Sequence, residues 1–113
     1  MKYGLLVLAV VASELALAHT ELSLSVPAKG VAVAGPVAEL KLEFAGDVRL
    51  TAVSVHDAMG HELPVQAPPT EVGSKFALAL PEPLAEGKYI VTWRAVGADT
   101  HIVSGDFQFS VSR

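Results

Sequence analysis

Apolar residues recur at every second position along most of this chain, and that spacing constrains the fold more than any other feature. Leu40, Leu42 and Phe44, for example, alternate with Glu39, Lys41 and Glu43. Such a period of two puts one face of a β-strand against a core and the other in water. No convincing amphipathic helix accompanies it. The pattern therefore predicts an all-β chain.

The same alternation predicts where the other strands lie. In the first strand Leu22, Leu24 and Val26 form the expected inward face. The run after residue 48 changes its apolar parity near Ala52, which indicates a β-bulge or a bend between sheets. Pro- and Gly-containing connections leave room for about seven short strands, which favours a two-sheet sandwich. Further strands are predicted at 48–55, 76–80, 89–96 and 107–111, with a turn at 56–62.

The chain contains no cysteine, so neither a disulfide nor a thiolate metal site is available to it. Its stability must then come from a packed core. Trp93 is the only tryptophan and lies among alternating apolar residues, so we expect it to anchor that core. The net charge of −4 offers no basic patch for phosphates, which argues against nucleic acid as a partner.

The first 18 residues have the three parts of a secretory signal peptide. Lys2 precedes the apolar run 5–12, and Ala16-Leu17-Ala18 provides the small residues of a cleavage site. Cleavage after Ala18 is expected, and a cut after Ala12 is the weaker alternative because it would fall within the apolar run. The segment 1–18 is therefore excluded from the predicted fold.

Cleavage after Ala18 would leave one domain, residues 19–113. The apolar run is much shorter than the roughly 20 residues that a membrane-spanning helix needs. We therefore expect an exported chain that keeps no membrane anchor.

His19 would become the first residue of that domain, and this position gives it unusual chemistry. Its α-amine and its ring Nδ1 can chelate one metal ion, so one residue supplies two nitrogen ligands. Such ligands in a planar arrangement suit Cu(II), which also leads the affinity series of divalent ions. Zn(II) prefers a tetrahedral set.

Asp99 and His101 lie two residues apart, a spacing that puts both side chains on one face of an extended segment. Together with His19 they would supply three nitrogens and one oxygen, close to what tetragonal Cu(II) accepts. The alternative is an ordinary solvated turn, since Asp-X-His sequences are common on protein surfaces.

A resemblance to a known family bears on this choice. The segment 87–96, GKYIVTWRAV, together with Ala98-Asp99-Thr100-His101 and the segment 104–109, SGDFQF, resembles the C-terminal signature of the CopC-like periplasmic copper-resistance proteins. The start of the predicted domain, His19 through Val26-Pro27-Ala28-Lys29-Gly30, is also similar to the opening of that family.

The resemblance implies an Ig-like Greek-key β-sandwich and Cu(II) ligands at His19, Asp99 and His101. It implies a non-catalytic periplasmic copper carrier that exchanges its ion with an inner-membrane copper transporter, and we expect a monomer. Thr100 stands where many relatives have Gly, a change between the ligands that should not abolish the site.

Two departures from the family matter. An acidic residue often follows the Phe of the second strand, whereas this chain reads Phe44-Ala45-Gly46-Asp47, which leaves Asp47 a weak candidate for an outer-sphere role. Some relatives also bind Cu(I) through a methionine-rich segment, because thioethers select that oxidation state. Met59 is the only methionine after residue 18, so no separate Cu(I) thioether site is expected.

Three other interpretations stay open. His56 and His61 flank a predicted turn and could share a metal, although an exposed turn explains both residues as well. An N-terminal His paired with a second His is also the copper-holding arrangement of the lytic polysaccharide monooxygenases, which would make the chain an oxidative enzyme. Finally, the sandwich could be an interaction module that binds no metal.

Overall fold

The computed structural model describes residues 21–113. The predicted signal peptide, 1–18, and His19 lie outside the described residues. Between residues 21 and 113 the chain forms strands and no helix, so no helix of this part could cross a membrane. The seven strands are β1 (Leu22–Val26), β2 (Ala32–Ala34), β3 (Val37–Asp57), β4 (Glu62–Leu63), β5 (Gly73–Leu84), β6 (Gly87–Gly97) and β7 (Ile102–Ser112).

Strand pairing follows the order β1-β3-β6-β7-β2, and β4 and β5 also pair with β3. All pairs are antiparallel except β2 with β7. The prediction of an all-β sandwich with about seven strands is therefore confirmed. Strand β2 is not predicted from the sequence, because three residues are too few to show a period.

Strand β3 is 21 residues long and takes part in both layers of the sandwich. Its first half pairs with β1 and β5, and its second half pairs with β4 and β6. The residue pattern predicts two separate strands here, at 40–44 and 48–55. They form one strand because the backbone stays extended through 45–47 while the pairing with β5 shifts register between Glu43 and Val48.

The irregularity predicted near Ala52 is confirmed. The register between β3 and β6 shifts between Leu50, which faces Ala95, and Ala52, which faces Arg94. The extra residue in β3 changes whether its even-numbered or its odd-numbered side chains face the core. Leu50 and Val55 are consequently both buried, although they lie an odd number of residues apart.

The predicted orientation of β1 is wrong for two of its three apolar residues. Its pairing with β3 shifts register between Leu22 and Leu24, which turns Leu24 and Val26 outward, each 49% exposed. Ser25 takes the inward position instead, 8% exposed. Its hydroxyl donates a hydrogen bond to the carbonyl of Pro27 (2.9 Å), which offsets the cost of burying a polar group.

Trp93 is buried, 6% exposed, so the predicted core anchor is confirmed. Its ring meets Phe44 edge to face, with 5.1 Å between centroids, and Phe44 meets Phe76 in the same way at 6.0 Å. Aliphatic side chains of β3, β5 and β6 surround this cluster. The least exposed of them are Leu40, Leu42, Leu50, Leu78, Val48, Val55 and Val91.

Candidate metal site

A tight turn joins β6 to β7 and carries the Asp-X-His sequence. The backbone N–H of Thr100 donates to the carbonyl of Gly97 (2.9 Å), and the N–H of Gly97 donates to the carbonyl of His101 (3.0 Å). Thr100 has φ +68°, in the left-handed region that a β-branched residue seldom adopts. The turn therefore reverses the chain within four residues while it holds Asp99 and His101 on either side of Thr100.

Asp99 and His101 contact each other through both oxygens of the carboxylate. The backbone N–H of His101 donates to Asp99 Oδ1 (3.1 Å), and the ring Nδ1 of His101 lies 2.8 Å from Asp99 Oδ2. An ionised carboxylate can only accept, so the hydrogen of this second contact is on Nδ1. Both side chains are exposed, and the pair is open to an ion from solvent.

The pKa of the Asp99 carboxyl is lowered from its ordinary value, first by the backbone N–H of His101 and then by the hydrogen bond from the His101 ring. The carboxylate is therefore ionised at any pH near neutrality. An anionic oxygen beside an imidazole nitrogen is a donor pair that divalent transition metals accept.

The spacing of Asp99 and His101 predicts that both lie on one face of an extended segment. The structure brings them together by another route, since they lie on a turn and the left-handed backbone of Thr100 sets their contact. Nothing in the sequence signals this role for Thr100, because threonine is uncommon in that conformation.

The described chain begins at the end of the sandwich that carries this turn. The carbonyl of Glu21 accepts a hydrogen bond from Ala45 (2.9 Å), and Glu21 lines the same open groove, between β1 and β7, as Ile102, the residue after His101. Residue 19 precedes Glu21 by two positions, and two extended residues span at most about 7 Å. This groove is not predicted from the sequence, because the alternation assigns Leu24, one of the residues that line the groove, to the core.

Among residues 21–113, no three His, Asp or Glu side chains come together in a way that could hold a metal ion. A metal ion at the Asp99–His101 pair would need at least one ligand from outside these residues. Asp47 is exposed at the same end of the fold, between Ala45, which bonds to Glu21, and Val48, which pairs with Gly97. The outer-sphere role considered for Asp47 stays a prediction.

His56 and His61 form separate contacts. His56 lies on β3 opposite Glu62 of β4. The His61 ring Nδ1 lies 3.4 Å from Asp57 Oδ2, and Asp57 Oδ1 accepts the backbone N–H groups of Met59 and His61. The pKa of Asp57 is lowered, most strongly by the backbone N–H of His61.

This second Asp–His pair lies at the other end of the sandwich. Asp57 pairs with Tyr89 near the start of β6, whereas the Asp99–His101 turn follows Gly97 at its end. Gly97 lies eight positions after Tyr89 on the same strand, about 27 Å away at the rise of an antiparallel strand. The two pairs cannot share one ion.

The fold and the turn define a class of protein, an all-β sandwich with an exposed carboxylate–imidazole pair beside the start of its first strand. A comparison with known protein families matches residues 22–112 to the CopC domain. Because the match covers most of the chain, the chain belongs to the CopC family.

Curated relatives agree with this assignment. The copper resistance protein C of Escherichia coli is 37% identical over 106 residues, which cover 85% of this chain and 83% of that protein. The copper resistance protein C of Xanthomonas campestris pv. juglandis is 34% identical over 116 residues, which cover 94% and 90%. The chain is thus similar over most of its length to copper-handling proteins.

Solved structures give the same result. CopC from Methylosinus trichosporium OB3b aligns with a TM-score of 0.71 at 30% identity, covering 83% of this chain and 94% of that one. PcoC, a methionine-rich copper resistance protein from Escherichia coli, aligns with a TM-score of 0.66 at 33% identity, covering 84% and 100%. This chain is not rich in methionine, since Met59 is the only one after residue 18.

Proposed function

We propose that this chain is an exported, non-catalytic Cu(II) carrier whose site consists of His19, Asp99 and His101. The observation that carries the proposal is the Asp99–His101 pair, which lies at the end of the fold where the described chain begins. Membership of the CopC family and the similarity to copper resistance proteins support copper as the cargo.

The proposed donor set suits copper in the divalent state. Asp99 supplies an ionised oxygen that offsets part of the charge of the ion, and His101 supplies an imidazole nitrogen. His19 supplies the α-amine and a second imidazole nitrogen, so four donors can occupy one plane. Three nitrogens and one oxygen in a plane are typical of tetragonal Cu(II).

Export and binding are linked in this proposal. The α-amine of residue 19 exists only after a signal peptidase removes 1–18, so the precursor lacks a ligand that the exported protein has. The copper-loaded form would arise in the periplasm, where an inner-membrane copper transporter is the proposed partner. With four donors around the ion, the proposed role is to hold and hand over copper, and it requires no catalytic step.

The two histidine-containing turns allow a matched experiment. Cu(II) affinity is measured by competition with a chelator for the chain that begins at His19, and then for His101→Ala and His61→Ala in the same background. We expect His101→Ala to lose at least about tenfold in affinity, since even outer-sphere partners of metal ligands contribute about 10–100-fold. His61→Ala should bind as tightly as the unchanged chain. Equal losses, or a loss only in His61→Ala, would contradict the proposal.

A further inference from the structure

The open groove between β1 and β7 has the size and the borders of a peptide-binding site. Its volume, about 880 Å³, lies within the range of ligand clefts, about 300–1,000 Å³. We propose that this groove binds an extended, apolar and basic segment of a partner protein, which pairs with the bordering strands as an added strand. No step of this binding requires a metal ion, so it goes beyond the proposed function.

Each strand beside the groove pairs on one side only. Strand β1 pairs with β3, and residues 102–107 of β7 pair with β6. In the described part of the chain no strand pairs with the opposite edge of either segment, since β2 reaches β7 only from Ser110 onward. The groove closes where the N–H of Gly30 donates to the carbonyl of Gln108 (2.7 Å). Such edges present backbone N–H and C=O groups that a further strand can bind.

The side chains at these two edges do little to prevent pairing. Lysine and proline commonly protect a free strand edge, and neither occurs in β1 or in residues 102–107. Asp106 is the one charged residue of these two segments. Leu24, 49% exposed, and Ile102, 68% exposed, line the groove instead. The apolar side chains of a bound segment would contact them.

The floor of the groove supplies one polar group, the indole N–H of Trp93. Trp93 lines the groove and is only 6% exposed. No side chain or carbonyl among residues 21–113 accepts a hydrogen bond from this N–H, and no fully enclosed side-chain nitrogen there lacks a partner. The N–H is therefore open to the groove. A buried indole N–H usually has an acceptor, and a carbonyl of a bound segment would supply one.

Gly105 keeps this donor accessible. It pairs with Trp93 across β6 and β7, and it also lines the groove. A Cβ at that position would lie 3.2 Å from Nε1 of the ring, so any side chain there would cover the donor. Glycine within a strand often marks a place where another backbone approaches closely. A peptide backbone is thus the occupant that fits this opening.

The charges around the groove favour a basic segment. Its charged lining residues are Glu21, Lys29 and Asp106, two acidic and one basic. The ionised and exposed carboxylate of Asp99 lies at the same end as Glu21. Complementary charges steer partners to an interface and suppress wrong ones. A segment with a net positive charge is therefore preferred over an acidic one.

Two capped synthetic peptides test this binding on the metal-free chain that begins at His19. One alternates valine with lysine and the other valine with glutamate, each of about seven residues, which is enough to span the five residues of β1. Trp93 is the only tryptophan, so its indole N–H gives a single resonance in ¹⁵N spectra. We expect the lysine peptide to shift that resonance and the amides of 22–26 and 102–107. It should bind at least about fivefold more tightly than the glutamate peptide.

Two matched controls separate strand pairing from non-specific contact. The lysine peptide with every second backbone nitrogen methylated keeps its side chains and charge but loses backbone donors. Its affinity should fall by at least about tenfold, because each backbone hydrogen bond contributes about two- to tenfold. Asp106→Asn should lower the preference for the lysine peptide by up to about fivefold. Glu62→Gln, on β4 outside the groove, should leave this preference unchanged.

Three results with the peptides would overturn the proposed binding. They are equal affinity for the methylated peptide, resonance changes confined to residues outside the groove, and no binding of the lysine peptide at millimolar concentration. Sedimentation of the chain alone gives a further test. If the chain forms dimers that show the same resonance changes without any peptide, a second copy occupies the groove, and a basic partner segment is the wrong occupant.

Discussion

Gly105→Ala should destabilise the fold, because the ring of Trp93 lies against the one position of β7 that has no side chain. Gly105 pairs with Trp93 across β6 and β7. A Cβ added at Gly105 would lie 2.8 Å from Cζ2 of the ring and 3.1 Å from Cε2. The first of these contacts is about 0.6 Å shorter than the ordinary van der Waals range, which begins at 3.4 Å.

The ring has little room to move away from such a methyl group. Phe44 packs edge to face against it at 5.1 Å, and Phe44 is itself held by Phe76. Overpacking a well-filled core of this kind costs about 1–3 kcal/mol of the free energy of unfolding. We expect Gly105→Ala to fall in that range.

Urea unfolding followed by the fluorescence of Trp93 measures this cost. Gly73→Ala is the matched control, because the nearest atom to its added Cβ is 4.0 Å away, in Phe76. The control should leave stability unchanged or raise it by about 0.4–1 kcal/mol, by restricting the unfolded chain. A Gly105→Ala variant as stable as the control would refute the packing described for Trp93.

Three further predictions follow from the register of the strands and from the proposed site. In urea unfolding, Leu24→Ala should lower the free energy of unfolding by less than about 1 kcal/mol, because Leu24 is half exposed, and Leu42→Ala by about 2–5 kcal/mol, because Leu42 is buried. The alternating pattern alone predicts the same loss for both, so equal losses would contradict the register shift in β1. Cu(II) affinity should fall between about pH 8 and pH 5, because protons compete for amine and imidazole nitrogens, with ordinary pKa values of about 7.7–8.0 and about 6.5. The lowered pKa of Asp99 keeps its carboxylate ionised across this window, so a loss of affinity confined to pH values below 4 would point to other donors. The double variant His56→Ala/His61→Ala should bind its first equivalent of Cu(II) unchanged in the same competition assay, and a weaker first equivalent would move the site to the β3–β4 turn.

The sequence predicts an irregularity in strand pairing only where the alternation of apolar and polar residues is itself interrupted. At Ala52 the apolar parity changes, and the irregularity of β3 lies there. In β1 the run Leu22-Ser23-Leu24-Ser25-Val26 alternates without interruption, so the register shift leaves no such trace. Alternation reports which residues can be buried, and the backbone pairing decides which of them are buried.

The contact between Asp99 and His101 was predictable from the sequence, but its geometry was not, and their role as metal ligands stays a prediction. The Asp-X-His spacing indicates Asp99 and His101 as candidate ligands, and the two side chains lie in contact. Their two-point contact depends on the left-handed conformation of Thr100 and on the bonds of the turn, which a sequence pattern does not encode. The neighbouring groove was missed for a related reason, because it forms only where β1 and β7 approach across the fold.

The most direct test of His19 as a copper ligand is a titration of Cu(II) into two purified chains, one that begins at His19 and one that carries a single extra glycine before it. Binding is followed by quenching of Trp93 fluorescence in competition with a chelator of known affinity. The extra residue removes the α-amine from His19 and leaves residues 21–113 unchanged. We predict far weaker binding of Cu(II) by the glycine form. Equal binding by both chains would contradict it, because the amine of His19 would then not be a ligand.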